Sequence, residues 1–443
     1  MARPSRSRAL DIWTNGLRVG RWTIPSAGPM TLAYDPAWVE SDEGRPLSLS
    51  LPFNLDDQTV TGERVGSYFD NLLPDSEPIR RRIQSKFGLP GVDPFELLAA
   101  IGRDCVGAVQ LLPVGETPEN VFSIQARALR SEQLEQLLRA ASRPSAFVEA
   151  EEDPRISLAG AQEKTALTFH RGRWCIPRGS TPTTHIFKLP LGLVGNRELD
   201  LSTSVENEWL CSRILAGFGL PVAECQISQF GASKALVVTR FDRKLHESKK
   251  YWLRLPQEDF CQATGTPGSA KYEAEGGPGL AEIASILQAS EAREADLATL
   301  LMAQLLFWML AATDGHAKNF SIRLLAGGRF QLTPLYDVIS TWPLVGTKTN
   351  QLHPKKLKLA MAVRGKSKHY HLPEIRRRHF NAAARACGLG RDMEDLIAKA
   401  IERTPSVVER VRAELPPGFP AHVFDSITQG LARSALALAN DIE

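Results

Sequence analysis

The stretch Asp314-Gly-His-Ala-Lys-Asn-Phe-Ser321, followed by Tyr336-Asp337, decides the fold and the chemistry that this sequence predicts. Asp314 and Asn319 lie five positions apart, and Asp337 follows Asn319 by eighteen residues. Enzymes that transfer phosphoryl groups use this spacing for a catalytic carboxylate and two magnesium ligands. The spacing therefore predicts a phosphotransferase.

Each residue of this motif has an expected role. Asp314 would orient the acceptor hydroxyl as the catalytic base, Asn319 would supply an oxygen to one Mg²⁺, and Asp337 would bridge metal ions at the β- and γ-phosphates of ATP. His316 and Lys318 lie between them and are predicted to contact the transferring phosphate. The alternative is that these residues form only a helix-ending turn, which Asp-Gly pairs and asparagines often do.

A lysine for the phosphates is predicted at Lys188, within the apolar strand Ile186-Phe-Lys-Leu-Pro190. A lysine with apolar neighbours in a strand is costly unless its ammonium meets an anion. The helix predicted from Ser204 to Gly217 carries Glu208 at the edge of its apolar face, and we expect this carboxylate to pair with Lys188. A lysine on an edge strand and a solvated glutamate would be equally consistent with the sequence.

The segment from Arg155 to Thr165 is a candidate phosphate-binding loop, because small residues let backbone N–H groups approach a phosphate closely. It matches neither a Gly-x-Gly-x-x-Gly nor a Walker A pattern, so spacing alone favours an ordinary turn. Ser157 in this loop is a possible phosphorylation site, since a phosphate there would oppose the nucleotide by charge and bulk. The candidate nucleotide contacts in the loop are Leu158, Ala159, Gly160, Ala161, Gln162 and Glu163.

Two further segments could contact the adenine. Thr239, Arg240 and Phe241 end a predicted strand, where an extended hinge could offer backbone groups to the adenine edge and Phe241 could line the ring pocket. Gln257 follows shortly afterwards and could lie near the same site. A plain loop between a strand and a helix is the alternative for both segments.

Bulk properties exclude several other classes of protein. The 443 residues include 53 basic and 50 acidic residues, a formal charge of +3 that does not by itself indicate nucleic-acid binding. The six cysteines show no Cys-x-x-Cys pair, so neither a disulfide framework nor a zinc site is indicated. With no apolar run long enough to span a bilayer and no signal-peptide pattern, we expect a soluble, cytoplasmic protein without a membrane partner.

The order of strand-like and helix-like segments predicts an α+β protein with a two-lobed, protein-kinase-like fold. We expect an N-terminal α+β subdomain over residues 1–115 and a helical and acidic linker over residues 116–154. A mixed β small lobe with the phosphate-binding loop would follow over residues 155–256. Residues 257–443 would form an all-α large lobe with the catalytic and metal-binding residues.

Assembled in this order, the motifs resemble the HipA family of bacterial serine/threonine kinases, the toxins of HipBA toxin–antitoxin pairs. The resemblance extends over nearly the whole chain. The segments that carry it are Arg45 to Pro52, Phe69 to Asp75, Ile101 to Asp104, Val106 to Val109, Ile156 to Ala166, Pro182 to Ile186, Leu255 to Asp259, Gly276 to Gly279, Ala312 to Ser321 and Tyr336-Asp337.

The resemblance implies roles for matching residues. Asp314 resembles the catalytic aspartate of the family, Asn319 and Asp337 its magnesium ligands, and Lys188 its ATP lysine. Ser157 resembles the serine whose autophosphorylation inactivates the kinase, and Gly160 with its neighbours looks like the mobile phosphate-binding loop of the family. One departure is Thr239, where close family members have glutamate before Arg-Phe-Asp-Arg, which leaves nucleotide selectivity open.

The resemblance also implies partners. It points to a small helix-turn-helix antitoxin similar to HipB, through which the protein would sit on operator DNA as a repressor. The implied substrate is a translation protein, with glutamyl-tRNA synthetase as the first candidate, and phosphorylation would arrest growth and promote persistence. Basic clusters at residues 355–368 and 376–379 could add DNA contacts, although a solvated, charge-balanced surface is favoured.

Two rival functions come from other classes. A non-catalytic corepressor bound to the antitoxin and operator would not need the phosphotransfer residues, all of which are present. A small-molecule phosphotransferase of the aminoglycoside-kinase type has similar spacing of base and metal ligands. That rival would lack both the N-terminal hundred residues and the loop around Gly160.

Overall fold

The structure is a computed structural model that describes residues 7–54, 57–141, 162, 164–195 and 198–441. No helix within these ranges is long and apolar enough to cross a membrane.

The N-terminal region is built on a five-stranded antiparallel sheet in the order β4-β3-β2-β1-β5. Its strands are β1 (Arg8–Thr14), β2 (Leu17–Ile24), β3 (Thr31–Tyr34), β4 (Thr59–Thr61) and β5 (Gln110–Pro113). The turn between β1 and β2 is Asn15-Gly16, and both residues have positive φ, 46° and 88°. Asn-Gly favours this tight hairpin because both residues tolerate the left-handed region.

Helices cover one face of this sheet and form its core. They are α1 (Pro36–Val39), α2 (Glu63–Asp70), α3 (Glu77–Phe87) and α4 (Pro94–Ile101). Trp22 of β2 stacks on Phe69 of α2, with ring centroids 4.0 Å apart, and lies 5.1 Å from Phe95 of α4. These large buried rings join the sheet to two helices in one apolar cluster.

A second sheet of six strands forms the small lobe, in the order β12-β13-β9-β7-β8-β6. Its strands are β6 (Ala126–Ala128), β7 (Lys164–His170), β8 (Arg173–Pro177), β9 (His185–Lys188), β12 (Cys225–Phe230) and β13 (Ser233–Thr239). The short hairpin of β10 (Gly192–Val194) and β11 (Leu199–Leu201) lies between β9 and the next helix, α6 (Ser204–Gly217).

Each face of this sheet packs on a different helix. Along β13, Ala235 and Val237 join the cluster formed with α5 (Ser131–Ala141), while Leu236 and Val238 join the cluster formed with α6. Successive side chains of a strand point to opposite faces, so one strand serves both cores. The sheet is therefore a layer between two helices.

The packing of α5 corrects the expected linker over residues 116–154. The helix itself is confirmed, but Leu134 and Leu138 are buried with the small-lobe sheet, and β6 pairs with β8. Apolar residues four positions apart form one helix face, which is stable only when covered. Residues 126–141 therefore belong to the small lobe, and the acidic run at 149–153 lies outside the described residues.

The large lobe surrounds α9 (Arg293–Met309), in which nearly every residue after Asp296 is buried. A helix that is apolar all round lies at the centre of a core. The other helices of this lobe are α7 (Phe260–Thr264), α8 (Leu280–Leu287), α10 (Arg377–Cys387), α11 (Glu394–Ala413) and α12 (Ala421–Asn440).

The large lobe is not all-α, which corrects that detail of the expected fold. A three-stranded sheet has the order β16-β17-β18, and its middle strand follows residues 314–320 in the chain; a separate hairpin joins β19 to β20. The short strands after the small-lobe sheet are β14 (Arg243–Leu245), β15 (Trp252–Arg254), β16 (Gln257–Asp259), β17 (Ser321–Leu324), β18 (Phe330–Leu332), β19 (Lys358–Arg364) and β20 (Lys368–His371). Most have only three or four residues, too few for a readable alternation.

Candidate active site

A buried lysine joins two carboxylates where the lobes meet. Lys188 ends β9, and its Nζ donates hydrogen bonds to Glu208 Oε1 at 2.6 Å and to Asp337 Oδ1 at 2.7 Å. Burial disfavours the ammonium, but Asp337 and Glu208 outweigh it and hold the pKa of Lys188 above its usual range. Burial likewise acts to raise the pKa of Asp337, yet Lys188 and Lys164 lower it to about 2. Lys188 and Asp337 are therefore both charged at neutral pH.

Asp337 has a left-handed backbone, with φ of 61°. This region is unfavourable for residues with a side chain and persists where surrounding contacts impose it. Here the chain is fixed just before Asp337, since Leu335 bridges to Val222 and Tyr336 OH donates to Lys318 O at 3.0 Å. The strained conformation directs the carboxylate toward Lys188.

Asn319 also contacts Asp337, but at the backbone carbonyl oxygen of Asp337 and not at its carboxylate. Its Nδ2 donates to the Asp337 carbonyl oxygen at 3.3 Å, and its Oδ1 is buried without a partner in the described part of the chain. A buried amide oxygen without a donor, beside an ionised carboxylate, is the oxygen-only environment that Mg²⁺ prefers. Mg²⁺ needs few protein ligands when phosphates supply the others, and this arrangement fits it.

Asp314 follows α9 in the chain and is the first residue of the motif that ends at Ser321. Its Oδ1 accepts a hydrogen bond of 2.6 Å from the hydroxyl of Tyr272. The next residue, Gly315, packs so closely on Phe307 that a Cβ would lie 2.4 Å from a ring carbon. Only glycine permits this approach, which fixes the segment against the buried helix.

His316 and Lys318 differ in their surroundings and in their charge. His316 is buried, and burial lowers its pKa to about 4, so it is neutral at pH 7. Lys318 Nζ donates to Asn71 Oδ1 at 2.7 Å, to Asn71 O at 3.1 Å and to Asp259 Oδ2 at 3.2 Å. These contacts hold Lys318 against the N-terminal region, and its expected contact with the nucleotide stays a prediction.

Arg240 is also committed elsewhere, contrary to its expected place in the nucleotide site. Its guanidinium donates to Asp242 Oδ2 at 2.7 Å and to Thr183 Oγ1 at 2.9 Å. The amide nitrogens of Thr239 and Arg240 donate to Glu224 O and Thr184 O, so neither is available to an adenine edge. The hinge prediction therefore fails for the backbone donors of these residues, because the sheet already uses them.

A buried cluster of opposite charges surrounds Arg240 and joins the N-terminal region to the small lobe. Asp104 lies 3.5 Å from Arg240, 3.0 Å from Arg243 and 3.1 Å from Arg254. Burial acts to raise the pKa of Asp104, but the three guanidinium groups hold it well below its usual range. This cluster, Asp104 with Arg240, Asp242, Arg243 and Arg254, is called the arginine cluster below.

The remaining predicted nucleotide contacts lie at the edges of the site. The Phe241 ring lies 5.8 Å from the Tyr336 ring, next to Asp337. Gln257 opens β16, and its backbone lies against Gly107 of the N-terminal region. Gln162 Nε2 donates to Leu189 O at 2.7 Å, just after Lys188. Ser157, Leu158, Ala159, Gly160, Ala161 and Glu163 lie outside the described residues.

Lys164 is a residue of this site that sequence reasoning missed. It opens β7 directly opposite Lys188 in the strand pairing. Burial lowers its pKa to about 8, and Asp337 acts in the opposite direction. The signal available in the sequence was a basic residue at the point where the small-residue loop enters a strand. The sequence does not give the strand register, which decides which lysines face each other.

A small cavity of about 20 Å³, enough for a water molecule, adjoins the two carboxylates of this site. Glu208 and Asp337 line it together with apolar residues that include Val238 and Leu335. It lies between α6, β13 and the segment before Asp337.

Comparison with known proteins identifies the family. The HipA-like C-terminal domain matches residues 156–408, and the HipA N-terminal domain matches residues 10–112. The chain is 33% identical over 360 residues to the putative kinase Y4mE of Sinorhizobium fredii, covering 80% of this chain and 82% of that protein. It is 29% identical over 351 residues to the serine/threonine-protein kinase toxin HipA of Shewanella oneidensis, covering 76% of each.

A solved structure shows the same fold. The complex of Shewanella oneidensis HipA with HipB and its operator DNA contains a chain that matches with a TM-score of 0.78 and 24% identity, covering 98% of this chain and 100% of that one. The expected α+β, HipA-like fold and the resemblance noted from sequence motifs are confirmed. The chain belongs to the HipA family.

Proposed function

We propose that this protein is an ATP- and Mg²⁺-dependent protein serine/threonine kinase that acts as the toxin of a toxin–antitoxin pair. The observation that carries the proposal is the contact of Lys188 with both Glu208 and Asp337, beside Asn319 Oδ1, which has no partner among the residues that the structure describes. Kinases use a strand lysine paired with a helix glutamate together with an aspartate and an asparagine for metal.

The residues divide the work of phosphoryl transfer. Lys188 would hold phosphate oxygens, and Glu208 would keep its ammonium in place. The Asp337 carboxylate, through the oxygen that does not accept from Lys188, and Asn319 Oδ1 would hold Mg²⁺, which would neutralise charge on the phosphates. Asp314 would accept the proton of the acceptor hydroxyl as that oxygen bonds to the γ-phosphorus and ADP departs. Neutral His316 would line this space without adding charge.

We infer the substrate, the regulation and the partners from membership of the family. Y4mE is named a putative kinase, and the Shewanella oneidensis relative a serine/threonine-protein kinase toxin. We infer a translation protein as substrate, with glutamyl-tRNA synthetase the first candidate, and growth arrest and persistence as the outcome. Autophosphorylation at Ser157 would end the activity by placing a phosphate against the nucleotide site.

The antitoxin partner is inferred in the same way. The structural neighbour was solved with HipB and its operator DNA. We infer that this chain binds a HipB-like helix-turn-helix antitoxin, which would supply most of the affinity for operator DNA.

The test is label transfer from ATP. The purified protein, incubated with γ-³²P-ATP, Mg²⁺ and a bacterial lysate, should label one or a few proteins, and purified glutamyl-tRNA synthetase should be labelled if it is the substrate. An Asp314→Ala variant is the matched control. Absence of label with the wild-type protein, despite binding of a HipB-like antitoxin, would instead favour the non-catalytic corepressor.

A further inference from the structure

A tyrosine outside the catalytic motif holds the proposed catalytic base. Tyr272 donates its hydroxyl hydrogen to Asp314 Oδ1 at 2.6 Å, and its ring lies edge-on to His316 with centroids 5.2 Å apart. Burial, followed by the charge of Asp314, raises the pKa of Tyr272. The hydroxyl therefore stays protonated and acts as a donor at physiological pH.

The segment that carries this tyrosine, residues 271–273, is anchored on both sides. Lys271 Nζ donates to Asp75 Oδ2 at 2.9 Å in the N-terminal region. Glu273 accepts a hydrogen bond from the Ala362 amide at 2.6 Å in β19 and pairs with Lys368 at 2.8 Å in β20. We call residues 271–273 the tyrosine strap.

The backbone of the strap is fixed as well. The amides of Glu275 and Gly277 both donate to the Tyr272 carbonyl oxygen, at 2.9 and 3.0 Å. A side chain whose backbone and both neighbours are held loses little further entropy when it binds a target. The tyrosine hydroxyl is therefore preorganised toward Asp314.

A carboxylate has two oxygens that accept hydrogen bonds. Tyr272 occupies Oδ1 of Asp314, which leaves Oδ2 as the oxygen for an acceptor hydroxyl. General-base catalysis requires the accepting oxygen to lie within hydrogen-bond reach of the proton, and small displacements of a reacting group slow the reaction strongly. We propose that Tyr272 is a positioning residue that orients the Asp314 carboxylate for phosphoryl transfer; this inference rests on the proposed kinase activity.

The tyrosine strap also connects Asp314 to the N-terminal region. Asp75 binds Lys271 of the strap at 2.9 Å and lies 3.7 Å from Lys318 of the catalytic segment. One carboxylate of the N-terminal region thus contacts cations on both sides of Asp314. The N-terminal region therefore contributes to the orientation of the base through Asp75.

The test is a Tyr272→Phe variant, which removes the hydroxyl and keeps the ring beside His316. Label transfer from γ-³²P-ATP into lysate protein, at a fixed excess of lysate, gives kcat and the KM for ATP. We expect kcat to fall about tenfold while the KM for ATP and the affinity for Mg²⁺-ATP stay unchanged, because the lost contact orients only the base. Tyr251→Phe, in the turn joining β14 and β15, is the control and should match the wild type.

Each outcome is decisive. An unchanged kcat in Tyr272→Phe would overturn the proposal. An increased kcat would also overturn it, because the tyrosine would then block the base. A fall in kcat accompanied by weaker Mg²⁺-ATP binding or a lower melting temperature would indicate a merely structural role and also overturn it. Wild-type protein without any label transfer would refute the kinase activity itself, whereas an active wild type with an unaffected variant refutes only the role of Tyr272.

Discussion

Lys188 and Lys318 are equally buried, each 7% exposed, and each donates hydrogen bonds to two other residues, yet they serve different regions. Lys188 bonds to Asp337, whose carbonyl oxygen accepts from Asn319, whereas Lys318 bonds to Asn71 and Asp259 between two regions of the chain. The comparison shows that the partners of a buried lysine decide its role. Burial and charge alone do not.

The largest effect is expected from replacing Asp337, which belongs to the Lys188 site and not to the Lys318 site. Asp337→Ala should lower label transfer by a thousandfold or more, roughly 4 kcal/mol in the barrier, because both the proposed metal ligand and the partner of Lys188 are lost. Phosphotransfer assays with γ-³²P-ATP measure this, with circular dichroism to establish folding. Substantial label incorporation by the folded variant would refute the assignment of Asp337.

Lys188→Met should lower the rate about a hundredfold or more by removing the phosphate cation. Affinity for Mg²⁺-ATP, measured by calorimetry, should also weaken. Lys244→Met, on the exposed part of β14, is the matched control and should behave as wild type. A Lys188→Met variant with full activity would place the phosphate cation elsewhere, with Lys164 the next candidate.

Lys318→Met should act on stability first. Removing one member of a buried ion pair leaves Asp259 without its counter-charge, which costs about 3 kcal/mol in the free energy of unfolding. Urea denaturation measures this cost, and Arg81→Met, which breaks an exposed pair with Glu77, should change stability by less than about 1 kcal/mol. A stable Lys318→Met protein that fails to bind Mg²⁺-ATP would restore Lys318 to the nucleotide site.

The smallest expected effect concerns the pH dependence that the buried His316 gives to stability. Its pKa is about 4 in the folded protein, whereas an unfolded histidine has a pKa near 6.5. As pH falls from about 6.5 to about 4, the unfolded chain gains a proton that the folded protein does not, so stability decreases, by roughly 2 kcal/mol. Denaturation at pH 7 and pH 4.5 should show a smaller decrease in His316→Asn than in the wild type, and equal decreases would contradict the buried neutral imidazole.

The sequence predicted the central site well because its geometry is local. A rigid buried helix ends just before Asp314, and Asn319 and Asp337 follow at short, fixed separations. Lys188 and Glu208 lie only 20 residues apart, on an adjacent strand and helix. The metal and nucleotide roles of these residues remain predictions.

The contacts that the sequence did not predict are those whose partners are distant in the chain. Lys318 stands between two motif residues, but its partner Asn71 is 247 positions away. Arg240 likewise meets a carbonyl oxygen 135 positions away in the N-terminal region. Local spacing gives no information about such contacts, and strands of three residues carry too little periodicity to be recognised.

The arginine cluster has a consequence for how the protein can be divided. Asp104 comes from the N-terminal region, while Arg240, Arg243 and Arg254 come from the chain that follows the small-lobe sheet. A fragment that begins after residue 155 would keep the three guanidinium groups and lose Asp104, one of their two counter-charges. Truncation or domain shuffling at this boundary would therefore destabilise the second half, which ties the inheritance of the two regions together.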